Sequence, residues 1–198
     1  MLDKDLTKHG REFAGYLKNH QYDVSDEGII FPKAGVQAIG EYFVSSPGYA
    51  DSVEKNLIPT EGLNHLLMVG LKDTAKLNTF YLALYSGNYV PTAALTAANF
   101  ASTATEITSN TEGYSESVRQ TWTPAAASGG MIDNVASKAN FTIETASSVT
   151  IRGAALLSSN VKGGTAGVLI SAAKFTADRV QYDGDVFTLG YRVRLSST

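Results

Sequence analysis

His65 stands next to Asn64, and Ser52, Asp51 and Glu61 lie close by in the chain, so a base, a nucleophile and an orienting carboxylate for acyl transfer can be assembled on paper. The spacing does not support that assembly. No Gly-x-Ser-x-Gly turn presents a serine, and no His-Glu-x-x-His pair sets two imidazoles on one helix face. The three histidines, His9, His20 and His65, fall in separate segments without metal-ligand spacing. His65 is therefore expected to be a helix-surface or helix-packing residue. Lys162-Gly-Gly-Thr-Ala-Gly167 has the glycines of a phosphate-cradling loop, but such a loop leads into a helix, and this one leads into strand-like Val168-Leu-Ile170. A hairpin turn is expected there. Asp183-Gly-Asp185 could offer oxygens to a calcium ion, yet the other positions of a calcium loop, including the closing glutamate, are missing, so its expected role is turn geometry. With no cysteine in the chain, thiolate zinc sites, disulfides and cysteine nucleophiles drop out. No catalytic, cofactor-binding or metal-binding residue is assigned, and no enzymatic turnover is expected.

The elements that would position any site divide at Phe80–Tyr85. Six apolar or aromatic residues in a row, bounded by Asn78 and Gly87, read as a central strand buried on both faces. Upstream, Leu6, Phe13, Tyr16 and Leu17 share one helical face between Asp3 and Asn19, although Gly10 and Gly15 each weaken that helix by about 1 kcal/mol. Ile29–Phe31 and Glu41–Val44 read as short strands. Pro59–Gly70 is the clearest helix, with Thr60 as cap, Glu61 in the first turn, and Leu63, Leu66, Leu67 and Leu71 on one face expected to pack against the sheet. Residues 88–117 form a long excursion rich in Ala, Thr, Ser and Asn, with a short helix near Ala97–Ala101. Strand signals then recur at Val118–Trp122, Lys138–Glu144, Val149–Leu157, Val168–Phe175 and Val186–Leu195, the last alternating apolar and polar residues along its length. Leu63, Leu66, Leu67, Phe80, Leu82, Leu84, Phe187, Leu189, Tyr191 and Val193 are expected to share one core.

These signals predict a mainly β protein: an antiparallel β-sandwich, immunoglobulin-like or jelly-roll-like, with an N-terminal helical segment and one helix packed on the sheet. Residues 1–55 would be an arm or small subdomain, and residues 56–198 the sandwich domain. At 198 residues one sizeable core is within reach. Only 18% of residues are charged, fewer than the roughly 25% typical of soluble domains, which suggests surface covered by neighbouring chains. The net charge of −3, without a basic cluster, argues against a nucleic-acid partner. No run of apolar residues is long enough to span a membrane, and Met1-Leu-Asp-Lys-Asp-Leu lacks a secretory pattern, so the expectation is a protein that stays in the cytoplasm or leaves inside a larger particle. Trp122 is expected in the core, and the exposed tyrosines at an interface ahead of a carbohydrate platform.

Five blocks carry a resemblance: Asn56-Leu-Ile-Pro-Thr-Glu-Gly-Leu-Asn-His-Leu-Leu67, Tyr81-Leu-Ala-Leu-Tyr-Ser-Gly-Asn88, Thr121-Trp-Thr-Pro-Ala125, Gly153-Ala-Ala-Leu-Leu-Ser158 and Gly184-Asp-Val-Phe-Thr-Leu-Gly-Tyr-Arg-Val193. From Asn56 onward the chain resembles a family of tailed-bacteriophage structural proteins. The resemblance implies a virion component without catalytic residues, made in the bacterial host cytoplasm. Its expected post is the head exterior, as a decoration or cement protein, with a neck, collar or tail attachment protein second and a carbohydrate- or receptor-binding module as the alternative of another class. Other virion proteins are the expected partners, and a homo-oligomer is expected. Phe13, Tyr16, Leu17, Tyr89, Leu95, Phe100, Ile107 and Tyr114 are the candidate interface residues, because the N-terminal segment and the excursion have too few apolar residues to offset the entropy of their own ordering.

Overall fold

The structure is a computed structural model that describes residues 14, 22–24, 30–32 and 36–197. The chain divides into two compact units, residues 1–37 with 196–198, and residues 38–195. The smaller unit contains an antiparallel hairpin of β1 (Tyr22–Val24) and β2 (Ile30–Pro32). The strand expected at Ile29–Phe31 is β2. The boundary expected after residue 55 is corrected: β3 (Val36–Ser45) and β4 (Ser52–Lys55) pair with each other and belong to the main sheet.

The larger unit is mainly β, with two antiparallel sheets and two helices. One sheet runs β11 (Leu169–Gln181), β10 (Val149–Leu157), β5 (Phe80–Tyr85) and β7 (Gln120–Trp122). The other runs β4, β3, β12 (Val186–Ser197), β9 (Ala139–Glu144) and β6 (Gly113–Tyr114), with β8 (Met131–Asp133) paired to β12. Both sheets contribute to one buried cluster. Tyr42, Phe141, Phe187, Leu189 and Tyr191 come from the six-stranded sheet, and Leu82, Leu84, Ile151, Leu156 and Phe175 from the four-stranded one.

Alternation in β5 explains why its six residues are apolar throughout. Leu82 and Leu84 enter the core between the sheets, while Ala83 and Tyr85 point into a second cluster on the opposite face. That second cluster is closed by the excursion. Helix α2 (Ala97–Ala104), with helix α1 (Thr60–Leu71) before it in the chain, lays Ala97, Phe100 and Ala104 on Ala83, Ala155, Leu157 and Ala172, and Leu95 joins them. Beyond α2, Ile107 and Tyr114 turn into the first core.

The interface assignment of Leu95, Phe100, Ile107 and Tyr114 is thereby corrected, since all four are buried in the chain's own interior. The anchors are sparse because each is inserted completely, and the alanines between them allow close approach to a sheet face that is itself alanine-rich. Tyr89 is half-buried against the same cluster, and its carbonyl accepts the Tyr85 hydroxyl at 3.1 Å. Phe13, Tyr16 and Leu17 lie outside the described residues.

A buried ion pair fastens the rest of the excursion. The Arg119 guanidinium donates to both carboxylate oxygens of Glu106, at 2.7 and 2.8 Å, and the two side chains are fully buried. Arg119 also donates to the Ser159 carbonyl at 2.9 Å, and the Gly163 amide donates to Glu106 at 2.9 Å. The turn at Lys162–Gly167 is thus a structural clasp. Lys162 lies over the Tyr114 ring, 3.5 Å from its centroid.

On the other side of the molecule Glu54 ties β4 to β11 by accepting from the Thr176 amide at 2.9 Å and hydroxyl at 2.8 Å, and from Ser52 at 2.7 Å. Burial alone would raise its carboxyl, but these hydrogen bonds and the Arg179 charge hold it below its ordinary 4.5. A carboxyl depressed in the folded state stabilises the fold fully above its unfolded value, and that contribution is lost as pH falls through the folded value. Urea unfolding is therefore expected to show stability declining once pH drops below about 4.5, with a shallower decline in Glu54→Gln, which should also be weaker at neutral pH. Parallel acid profiles for the two proteins would remove Glu54 from the account.

Candidate functional site

Helix α1 begins immediately after Pro59, whose ring cannot continue a strand ladder, and ends where Lys72 turns extended with its amide on the Met68 carbonyl. Its closest contact with the sheets is made by its first turn. Gly62 is the one fully buried residue of the helix, and a Cβ there would lie 2.4 Å from the Ile170 carbonyl oxygen of β11, so only glycine permits this approach. Glu61 does not serve its own helix. Its carboxylate accepts the Leu169 amide at 2.7 Å and the Ala97 amide at 2.8 Å, stitching β11 to the N-terminus of α2.

After that first turn most of the helix's large side chains face solvent, while His65 and Leu66 still meet the body of the protein. Leu63, Leu66, Leu67, Met68 and Leu71 are between 39 and 84% exposed. The expectation that Leu63, Leu66 and Leu67 belong to the core is corrected: the outer face of the four-stranded sheet is already covered by α2, and the inner face by the second sheet. Between Gly62 and Leu71 no acidic or basic residue occurs, and His65 is the only titratable side chain. Thr60, expected as the cap, makes no capping side-chain bond; Pro59 occupies the cap position.

An apolar cavity of about 150 Å³ adjoins this face. Its floor is Trp122, Leu156, Ile170 and Tyr191, all buried. Its partly exposed rim is Leu66 of α1 with Phe80, Ile132 and Val193. Aromatic edges line one wall, with Phe80 and Trp122 centroids 6.4 Å apart and Trp122 and Tyr191 5.9 Å apart. The Trp122 indole N–H is satisfied by the Tyr191 carbonyl at 3.1 Å, so no polar group is left facing the cavity from that ring. Phe80 and Val193, expected in the core, are partly buried and pack against it from this rim.

The residues that could have made a triad are not brought together. Ser52 donates to Glu54 and accepts from Arg179 at 2.8 Å, and His65 sits edge-on to Phe80 with centroids 6.3 Å apart. Among the described residues no three metal-ligating side chains gather, and no helix is long and apolar enough to cross a membrane. What the arrangement offers is apolar burial. Sequence periodicity found the leucine face but not its exposure; the ten uncharged positions from Gly62 to Leu71 were the available signal, because a helix apolar on every side belongs in an interior. Compared with known proteins, the chain matches no family model and no curated protein.

Proposed function

We propose that this chain is a non-catalytic structural subunit of a tailed-phage particle, which docks onto a neighbouring subunit through the uncharged face of α1. One observation carries the reading: five large apolar side chains stand exposed on a helix that carries no charge after Glu61 and is seated on the protein by its first turn, His65 and Leu66. Leaving such a face in water forgoes part of the roughly 1.5 to 3 kcal/mol per side chain that complete burial supplies. Patches of that kind mark interaction sites. The resemblance of residues 56–198 to phage structural proteins supplies the class of assembly, and the post within it is a head decoration or cement protein, ahead of a neck or tail attachment protein. The finer architecture, a sandwich of immunoglobulin-like or jelly-roll-like type, belongs to the same proposal; two sheets sharing one core support it.

Leu67→Glu tests the docking. It places a charge at the middle of the face without touching the core, so the isolated protein is expected to unfold within about 0.5 kcal/mol of the wild type, as surface changes do. Incorporation into purified particles should fall at least tenfold. Unchanged incorporation would remove α1 from the interface, and the copy number per particle separates decoration, with hundreds of copies, from a neck ring of about a dozen.

A second reading has its own observation. Tyr49 and Tyr182, both exposed, flank a cleft of about 320 Å³ that also includes Pro47 and Asp185. Two tyrosines beside a carboxylate suit a neutral oligosaccharide, with Arg179 lying over the Tyr49 ring 4.9 Å from its centroid. Binding of a soluble oligosaccharide that disappears in Tyr182→Ala would favour this module over the docking subunit.

A further inference from the structure

We propose that the cavity beside α1 is a socket for one protruding apolar side chain, of leucine to phenylalanine size, carried by a different subunit that docks on the helix face. This rests on the docking function proposed above and names what the partner must present. The twelve-residue helix is about 18 Å long and about 10 Å wide, so its face projects roughly 200 Å², or about 400 Å² of accessible surface once side-chain relief is included. A standard interface takes about 800 Å² from each partner. A second copy pairing helix against helix would bury about 800 Å² in total, the size of an incidental contact, so the occupant has to reach beyond α1. The adjoining surface of matching chemistry is the cavity, whose rim includes Leu66 of the same helix.

Its size and lining define what enters. About 150 Å³ bounded by Trp122, Leu156, Ile170 and Tyr191 is room for one benzene-sized group, and the lining offers water no polar partner. A buried anchor in a desolvated pocket, ringed by weaker contacts, is how a small interface concentrates its affinity. The helix face would then act as the ring that excludes water, and the inserted side chain as the anchor.

Benzene serves as the probe, because it fills the space without needing the partner. Saturating benzene is expected to raise the Tm of the isolated wild-type chain by several degrees and to shift the methyl resonances of Leu156 and Val193. Val193→Phe, which fills the cavity from its rim, should abolish both responses and lower incorporation into particles at least tenfold while α1 stays intact. Should that variant fail to fold, Ile132→Phe fills the same space from another strand. Leu67→Glu should keep the benzene response and still lose incorporation. The socket is overturned by a wild-type chain indifferent to benzene, and equally by a folded, filled variant that incorporates normally while Leu67→Glu does not; in that second case the docking role stands. If Leu67→Glu also incorporates normally, docking falls and the socket with it. Self-association of the isolated chain that Val193→Phe abolishes would replace the different subunit by a second copy and overturn the occupant named here.

Discussion

Arg119→Met is expected to lower the unfolding free energy of this chain by about 3 to 5 kcal/mol, because the substitution strands the Glu106 carboxylate in the interior without its cation. The wild-type guanidinium meets both carboxylate oxygens and the backbone carbonyls of Ser159 and Gly164, so four hydrogen bonds vanish together. The pair's own net worth is a different quantity. Taking two ions out of water costs nearly what their attraction returns, and Arg119→Met combined with Glu106→Leu should therefore recover most of the loss. Urea unfolding of the two variants checks both halves. A single substitution costing under about 0.5 kcal/mol, as at an exposed site, would mean that the pair is solvated in solution.

Phe100→Ala is expected to cost about 3 to 5 kcal/mol, the range for a fully buried aromatic side chain. Its ring is wholly inaccessible and stands edge-on to Tyr85, with centroids 6.2 Å apart. The measurement that matters is amide hydrogen exchange alongside stability. Since Phe100 closes the face of β5 opposite the main core, protection should fall in β5 and in residues 88–117 together. Loss confined to the excursion, with a stability change below about 1 kcal/mol, would show that α2 rests on the sheet without completing it.

The contrast between the two helices shows where sequence reasoning stopped. Periodicity reports which residues share a face, and it placed Leu63, Leu66 and Leu67 together correctly; it does not report what stands opposite, and the sheet face they were expected to cover belongs to α2. The strands at Phe80–Tyr85 and Val149–Leu157 emerge with the bounds expected, since unbroken apolar runs between polar breaks need no knowledge of partners. The apolar alternation of β12 likewise holds for Phe187, Leu189 and Tyr191, which are buried, then fades at Leu195, which is exposed. Arg119 and Glu106 were illegible for a different reason: charged residues in a polar stretch read as surface, and only the fold shows that both are enclosed. The cavity escaped notice because its walls come from α1 and six strands, with no local pattern marking residues that line a void rather than fill one.

The position of β12 bears on how the chain is made. It lies between β3 and β9 in the six-stranded sheet, yet follows every other strand in sequence. On the ribosome the β3–β4 hairpin and the β9–β6 pair exist as separate halves, each with a raw edge, until β12 emerges to join them. Completion of the six-stranded sheet is thus held back by the connectivity itself until β12 has been made, as in other chains dominated by pairings distant in sequence. In the interval the nascent polypeptide shows both open strand edges and the leucines of α1 to solvent, and when many copies are synthesised at once, chaperone capture of the unfinished chain competes with aggregation.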